Sequence, residues 1–336
     1  FEQPCRLQPL VTGDNTRTMI NPSKGARLRD LLRRPELLVM PGGFSPLFAA
    51  MAELAGFEAF FVAGSQTSAF LYGLPDVGII GLRDMVDHAR HVAARCDLPI
   101  MVDADTGFGN AVGVYFTVQE YIRAGAGALN IEDQEAPKKS GTAGGRRCIS
   151  KEEAIGKYKA AVAARDELQP DFVICARCDL VGAEGGTFEE ALDRCVAYVE
   201  EGGADMIWLN TLQTREQIEQ ACRRIPAPVL PAYGGPRPAP TLEEWHNLGA
   251  KVALYPALTT NVALQAAWDM LHDFRERGTD ALADFAERAR NGPWGAADRG
   301  ALVGTGLIDE LEERFLPPDL QRDYESTFGY TTKPMG

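Results

Sequence analysis

PIMVDADTGFGNAVGVYFTVQEYIRAGAGALNIED, residues 99–133, contains two short apolar runs, IMV and ALNI, with an apolar-periodic segment between them. The pairing of Thr117 with Glu120 is typical of a capping box and predicts that a helix starts there. Gly125 predicts the end of that helix, just before the second run. A strand, a helix and a second strand in this order predict the βαβ unit of a parallel sheet.

Acidic residues end both runs of this unit. Asp103 and Asp105 follow the first run, and Glu132 and Asp133 end the second. Because side chains alternate along a strand, Asp103 and Asp105 are predicted to point to the same side and to share a ligand. Reactive groups lie at the carboxyl ends of barrel strands, and carboxylates without His or Cys suit Mg²⁺, with Mn²⁺ as the alternative ion. We therefore predict a metal site here; the alternative is that these acids only cap helices.

Six further apolar runs predict strands along the chain. They read LLVM (37–40), AFFVAG (59–64), FVICARCD (172–179), DMIWLN (205–210), PVLPAY (228–233) and KVALYP (251–256). With the two runs above they make eight strand–helix modules, which predict an α/β fold of the (β/α)8 TIM-type barrel class. An open doubly wound sheet is the alternative, but no GxGxxG motif follows the first run.

Two long connections stand out between these modules. Residues 65–81, SQTSAFLYGLPDVGIIG, predict a glycine-rich loop that carries Asp76. Residues 134–150, QEAPKKSGTAGGRRCIS, are polar, basic and rich in glycine, so they are unsuited to bury a core face. Long loops in compact domains are commonly functional. We predict that residues 134–150 form a mobile lid over the strand ends.

The two ends of the chain differ from the barrel in pattern. Residues 1–25 are predicted to be an N-terminal arm, residues 26–265 the catalytic barrel, and residues 266–336 an extra C-terminal helical region with a tail. This helical region is longer than one barrel needs, and a second subunit would cover it. We therefore expect a homo-oligomer, either a dimer or a homotetramer, in which the subunits exchange the C-terminal helices.

Charge and composition limit the partners. The 336 residues include 34 basic and 47 acidic ones, and the net charge of −13 disfavours nucleic acid and membrane surfaces as partners. Seven scattered cysteines are typical of reduced thiols in a cytoplasmic protein. A small anionic substrate remains compatible with an acidic chain, because a metal and a few arginines can reverse the local field.

Four ordered motifs are similar to those of a known enzyme family. They are GLPDVG at 73–78, VDADTGFGN at 102–110, IEDQEAPKKSGT at 131–142 and ARCD at 176–179. Through them the chain resembles the isocitrate lyase and phosphoenolpyruvate mutase superfamily, and within it the methylisocitrate lyases. The resemblance implies a Mg²⁺-dependent lyase of carboxylic acid metabolism. Such an enzyme cleaves a carbon–carbon bond of a small 2-hydroxy or 2-oxo acid through a metal-stabilised enolate.

The resemblance also implies the residues of the site. Asp103 would bind the metal directly, and further acids would hold it largely through water, namely Asp76, Asp105 and Glu132. Arg177 would pair with the substrate and stabilise the enolate charge, and the amides of Gly64 and Ser65 would hold the substrate carboxylate. The full set of predicted substrate contacts is Phe61, Ala63, Gly64, Ser65, Asp76, Gly141, Arg177 and Asn210.

Three positions depart from the lyase pattern. Ser140 stands where the lid of these lyases carries the cysteine that protonates the enolate, and a hydroxyl is a much weaker acid than a thiol. We predict that Ser140 or Tyr233 replaces this cysteine as the proton donor. Asn210 and Asn261 stand where a glutamate and a substrate-binding arginine are expected. A retained metal half and an altered distal half predict a substrate with a less anionic far end.

Two other functions stay open from the sequence. The first keeps the fold but changes the reaction, either to a decarboxylase or hydrolase of an oxaloacetate-like oxo acid or to phosphonomutase chemistry. The second is a non-catalytic barrel that only binds a metabolite. The joint presence of Asp103, Asp105, Glu132 and Arg177 argues against the second, because charges kept together away from water are costly.

Overall fold

The computed structural model describes residues 22–231, 235–290, 302–304 and 306–322 of the chain. Tyr233 and residues 1–21 of the predicted arm lie outside the described residues. The first helix, α1, spans Lys24–Arg33 and so begins within the last two residues of the predicted arm. Ser23 caps α1, because its Oγ accepts a hydrogen bond from the Ala26 amide at 3.0 Å.

Eight parallel strands form the barrel. They are β1 (Leu38–Gly43), β2 (Phe60–Val62), β3 (Ile100–Asp103), β4 (Ala128–Glu132), β5 (Val173–Cys178), β6 (Met206–Leu209), β7 (Val229–Leu230) and β8 (Val252–Tyr255). Each strand pairs in parallel with the next one as far as β7, and β1 also pairs with β8. The Lys251 amide, just before β8, donates to the Val229 carbonyl of β7 at 2.9 Å and brings the two edges together. The predicted (β/α)8 barrel is therefore confirmed.

Helices alternate with these strands. After α1 they are α2 (Pro46–Leu54), α3 (Gly64–Thr67), α4 (Leu82–Arg95), α5 (Ala111–Arg123), α6 (Lys151–Leu168), α7 (Phe188–Glu200), α8 (Arg215–Arg224), α9 (Leu242–Asn247), α10 (Leu258–Arg277), α11 (Thr279–Arg290) and α12 (Gly306–Phe315). Residues 65–81, predicted as one loop, are partly helical, since α3 and a π-helical turn at Ser68–Tyr72 follow β2. Gly73, with φ of 65°, ends this turn, and Asp76 lies in the remaining loop.

The start of α5 differs from the prediction. The helix begins at Ala111, where the Asn110 side chain accepts hydrogen bonds from the amides of Val112 and Gly113 at 3.1 and 3.4 Å. Thr117 lies inside the helix, and its hydroxyl donates to the Gly107 carbonyl at 3.0 Å. The predicted capping box at Thr117 is therefore wrong. An asparagine at the true N-cap satisfies the free amides, and the threonine instead fastens the loop that follows β3.

Helix α1 closes the amino end of the barrel. Its Leu28 and Leu31 pack with the side chains that fill the barrel interior, which include Met40, Phe61, Met101, Val173, Cys175, Met206, Leu230 and Val252. Arg29 donates to the carbonyl of Phe172, just before β5, at 2.9 Å. Because α1 and the core fill this end, the carboxyl ends of the strands are left for a site.

The described residues fall into two compact units, one up to Ala263 and one from Leu264 onward. The barrel lies in the first unit. The second contains the end of α10 together with α11 and α12, and it exposes many large apolar side chains, among them Leu264, Trp268, Leu271, Phe274, Leu282, Phe285, Leu307, Ile308, Leu311 and Phe315. The domain borders inferred from the sequence stay a prediction. Within the described ranges, no helix is both long and apolar enough to cross a membrane.

Candidate active site

The carboxyl ends of the strands surround a cavity of about 180 Å³. The predicted site residues that line it are Phe61, Ala63, Ser65, Asp76, Asp103, Ser140, Gly141, Arg177 and Asn210. Other lining residues were not among the predicted contacts, namely Gln66, Thr142, Trp208, Pro256 and Ala257. We call the side with Asp76 and Asp103 the acidic end, and the side with Trp208, Asn210 and Pro256 the distal end. A larger cavity of about 360 Å³ lies beside α1 near Lys24, and no acid lines it.

Asp103, the last residue of β3, is held by hydrogen bonds on both carboxylate oxygens. Its Oδ2 accepts from the Gly64 amide at 3.2 Å, and its Oδ1 accepts from Asn130 Nδ2 at 3.0 Å and from the Asp105 amide at 3.1 Å. Asp105 itself has a φ of 46°, so it has left the strand. Because β3 ends at Asp103 and the chain turns there, strand alternation does not set the direction of Asp105, and a ligand shared by the two aspartates stays a prediction.

The acidic end contains a lysine that the sequence interpretation missed. Lys138 Nζ lies 2.7 Å from Asp76 Oδ1, 2.7 Å from Asp105 Oδ1 and 3.9 Å from Glu132 Oε1. The Lys138 side chain is only 2% exposed, so the lid, residues 134–150, lies folded over the site. The signal was present in the PKKSGT motif, but the sequence does not tell which of its two lysines turns inward. Three predicted site residues do not line the cavity but contact residues that do: the amides of Gly64 and Asp105 donate to Asp103, and Glu132 lies beside Arg177.

Negative charge exceeds positive charge at this end. Burial raises the pKa of Asp105 to about 6, although Lys138 opposes the rise. Burial also raises the pKa of Glu132, which Lys138 and Arg177 oppose. For Lys138 burial acts in the other direction, but Glu132 and the neighbouring aspartates outweigh it and raise its pKa. Neither oxygen of Glu132 has a hydrogen-bond partner among the described residues, even though Arg177 Nη1 lies 3.1 Å from Oε2.

These features fit a hard divalent cation. Carboxylate oxygens are the ligands that Mg²⁺ prefers, and a buried excess of negative charge favours a cation. Within the described ranges, however, no group of three or more Asp, Glu, His or Cys side chains is arranged to hold a metal ion on its own. A cation here would therefore rely on Asp103, on water and on substrate oxygens, which suits Mg²⁺ because this ion keeps several waters.

Arg177 on β5 is fixed by a carboxylate that follows the strand. Its Nε and Nη2 each donate to an oxygen of Asp179 at 3.0 Å, which is a bidentate pair. The guanidinium also lies over the Trp208 ring, 4.5 Å from its centre. Burial would lower the pKa of Arg177, but Asp179 and Glu132 raise it, so the guanidinium stays charged. The plane of Arg177 is therefore set before any ligand enters.

The lid contacts this network through Gly141. The Gly141 carbonyl accepts from Asn210 Nδ2 at 2.9 Å and also from Arg146. A Cβ on Gly141 would collide with Arg177 and lie 2.9 Å from Asn210 Nδ2, so any larger residue here would displace these side chains. Asn210 Nδ2 donates to Asp179 Oδ1 as well, at 2.7 Å. Asp179 thus joins strand β5, the lid and Asn210, a role that only the fold reveals.

The other residues singled out from the sequence lie at different places relative to the cavity. Ser140 lines the cavity from the lid, next to Gly141. Tyr233 lies outside the described residues, so its predicted role stays a prediction. Asn261 is exposed on α10, and apolar Pro256 and Ala257 line the cavity after β8 instead. Arg177 is the only cationic side chain among the described residues that line the cavity.

The chain matches the family model described as phosphoenolpyruvate phosphomutase over residues 28–275. It is 38% identical over 257 residues to the 2-methylisocitrate lyase of Aeropyrum pernix, which covers 76% of this chain and 81% of that protein. It is also 38% identical over 269 residues to the 2,3-dimethylmalate lyase of Eubacterium barkeri, with 78% and 91% covered.

A solved structure has the same fold as this chain over most of the length of both chains. The phosphonopyruvate hydrolase complex with oxalate and Mg²⁺ superposes on this chain with a TM-score of 0.75 at 30% sequence identity. The superposition covers 88% of this chain and 100% of that chain.

Proposed function

The chain belongs to the phosphoenolpyruvate mutase and isocitrate lyase superfamily, and from this membership we propose that it is a Mg²⁺-dependent carbon–carbon lyase. Its substrate would be a small 2-hydroxy or 2-oxo carboxylic acid. Cleavage of a 2-hydroxy acid would remove the hydroxyl proton, break the adjacent carbon–carbon bond and leave a 2-oxo acid and an enolate, which then takes up a proton.

One observation carries this proposal. At the strand ends four carboxylates, Asp76, Asp103, Asp105 and Glu132, gather near a single buried ammonium, with Arg177 beside them. Such a group is expensive to bury, and burial with a cation and a charged substrate offsets that cost. A bound Mg²⁺ would supply Lewis-acid stabilisation of negative charge on substrate oxygens. Asp103 would hold it directly, and the other acids would hold it through water.

Arg177 would stabilise the enolate. Because Asp179 holds the guanidinium by two hydrogen bonds, the positive charge needs no reorientation when negative charge develops on the substrate. A lid that excludes water from the site would also strengthen electrostatic interactions inside it. The Gly64 amide is bonded to Asp103, so in this arrangement Ser65, which lines the cavity, is left for the substrate carboxylate.

Ser140 would protonate the enolate. It is a lining residue carried by the lid, and the lid is held by Lys138 on one side of Ser140 and by the Gly141 carbonyl on the other. A serine hydroxyl is a weak acid, so it would act as a relay. It would give its proton to the enolate carbon while a neighbouring group gives a proton to the serine oxygen. Tyr233 stays the second candidate for this role.

The substrate that we propose has a less anionic far end than a tricarboxylate. Arg177 is the single cation among the described lining residues, and Asp179 and Glu132 already pair with it. The distal end offers Trp208, Pro256 and Ala257 instead of a second cation. Hydrolysis of an oxo acid is the second candidate reaction, because the superposed phosphonopyruvate hydrolase has a similar fold at 30% identity.

We also propose that the protein is a cytoplasmic homo-oligomer, a dimer or a tetramer. The large apolar side chains of the second unit support this, because so many exposed apolar groups are unfavourable in water unless another surface covers them. A second copy of the chain is the partner that symmetric assembly favours.

The test is a product assay with Mg²⁺ and a panel of substituted malates, other 2-hydroxy diacids and oxaloacetate, with products followed by mass. A lyase releases a 2-oxo acid without added water, whereas a hydrolase product carries the mass of one water. Asp103→Ala is expected to abolish turnover. Asp97→Ala, the same change at an exposed position before β3, is the matched control and is expected to behave as the wild type.

Binding separates the remaining outcomes. Oxalate is a planar dianion that resembles the head of an enolate, so Mg²⁺-dependent oxalate binding reports on the acidic end alone. Oxalate binding without turnover would place the substrate outside the panel. If oxalate did not bind in the presence of Mg²⁺, the enolate-stabilising site would be refuted and a metabolite-binding barrel would become the better explanation.

A further inference from the structure

The loop that follows β3, beside the acidic end, has an unusual backbone. The φ angles of Asp105, Gly107 and Phe108 are 46°, 88° and 56°, which places all three residues in the left-handed region. Glycine adopts this region freely, but a residue with a Cβ is destabilised there. Asp105 and Phe108 therefore keep this conformation only if contacts from other elements hold the loop.

Two side chains from neighbouring helices bind this loop by its backbone. Lys157 Nζ of α6 donates to the Thr106 carbonyl at 3.0 Å, and the Thr117 hydroxyl of α5 donates to the Gly107 carbonyl at 3.0 Å. A hydrogen bond from a charged donor is stronger than one from a hydroxyl. Because Thr106 directly follows Asp105, Lys157 binds the loop next to this acid and with the stronger of the two contacts.

The position of Lys157 is unfavourable for the lysine itself. The residue is 5% exposed, and its ammonium is buried against a backbone carbonyl. Burial lowers the pKa of Lys157, and the charges of Glu153, Asp133 and Glu132 offset this effect only in part. Burial of a charged group is costly, so a lysine in this place is expected to serve a purpose beyond packing.

We propose that Lys157 is a positioning residue, which holds Asp105 in the place where it acts on the metal. The hydrogen bond to the Thr106 carbonyl keeps the loop in its left-handed conformation, so the Asp105 carboxylate is in position before the metal binds. This inference rests on the proposed function, because it requires that Asp105 helps to hold a divalent cation.

Three roles of Lys157 predict different effects when its ammonium is removed. If Lys157 acts by its charge, its loss removes a positive charge near the acids, and the site binds a cation more tightly. If it only stabilises the fold, the free energy of unfolding falls, and the folded protein binds the cation as before. If it positions Asp105, the loop leaves the binding conformation for part of the time, and the cation affinity falls in proportion.

The experiment measures Mn²⁺ binding to Lys157→Met by electron paramagnetic resonance of the free ion. Mn²⁺ is the probe, because it prefers the same oxygen ligands as Mg²⁺ and its binding is visible without turnover. Binding that is lost in Asp103→Ala defines the site, so that weak surface binding is subtracted. Lys159→Met is the matched control, because it makes the same change at an exposed position of the same helix. Thermal unfolding verifies that each variant is folded at the temperature of the measurement.

The Mn²⁺ affinity of Lys157→Met is expected to be about tenfold weaker than that of the wild type, as the loss of one buried hydrogen bond predicts. Lys159→Met is expected to bind as the wild type does. If Lys157→Met does not fold, Lys157→Gln, which is shorter and uncharged, is used with the same expectation. Equal or tighter binding by the variant would overturn the inference and leave the proposed function standing. If the wild type binds no Mn²⁺ at a site that Asp103→Ala removes, the proposed function and the inference are both overturned.

Discussion

Replacement of Lys138 by methionine is expected to open the lid. The ammonium of Lys138 lies within 2.7 Å of both Asp76 and Asp105, and the side chain is 2% exposed. Methionine fills a similar volume but carries no charge, so the closed lid would bury these carboxylates without their cation. Removal of one partner from a buried ion pair typically costs about 3–5 kcal/mol.

The free-energy cost of losing the Lys138 charge is limited, because the carboxylates can be hydrated or protonated. When the lid opens, water reaches the carboxylates at the mouth of the barrel. Without Lys138 the pKa of Asp105, already raised to about 6 by burial, rises further, since Lys138 lowers it in the wild type. Partial protonation then relieves some repulsion. We therefore expect the low end of the range, about 3 kcal/mol, which increases the open-lid population roughly 100-fold.

Amide hydrogen exchange followed by mass spectrometry measures this population directly. In the absence of divalent ions, exchange of peptides from residues 134–150 is expected to become about 100-fold faster in Lys138→Met, whereas peptides from β5 and β6 keep their protection. Lys139→Met is the matched control, because the neighbouring Lys139 is exposed. Equal protection of the lid in Lys138→Met and the wild type would refute the conclusion that this ammonium holds the lid closed.

Two further changes test other parts of the structure. Gly141→Ala places a Cβ against Arg177 and 2.9 Å from Asn210 Nδ2, so kcat/KM for the substrate found in the product assay is expected to fall at least tenfold. Gly144→Ala is the control and is expected to have little effect, because a Cβ there meets nothing within 4 Å. Equal activity of both variants would show that the lid tolerates the side chain at Gly141. Trp268→Glu, at a side chain that is 60% exposed on α10, is expected to give a smaller species in size-exclusion chromatography with light scattering. Gln265→Glu adds the same charge to the same helix, and a change in size in this control alone would contradict the proposed apolar contact.

Local sequence patterns determined the fold and the identity of most groups in the candidate site. Apolar runs followed by turn residues predicted all eight strands, because burial on both faces of a parallel sheet requires nearly continuous apolar residues. Acids at the ends of β3 and β4 were visible in the same way, as were Arg177 on β5 and Asn210 after β6. Most side chains of a site on a barrel thus come from the residues that end its strands, and these residues can be identified from the sequence.

The tertiary structure alone decided how these groups are arranged. Lys138 enters the acid cluster and Gly141 meets Arg177 because the lid folds back over strands that are far away in the sequence, and no local periodicity encodes that path. The pairing of Asp179 with both Arg177 and Asn210 arises because β5 and β6 are neighbours in the barrel. Hydrogen bonds and charge balance depend on distances between side chains in space, so the lack of a hydrogen-bond donor to Glu132 among the described residues becomes visible only when the strands and the lid are in place.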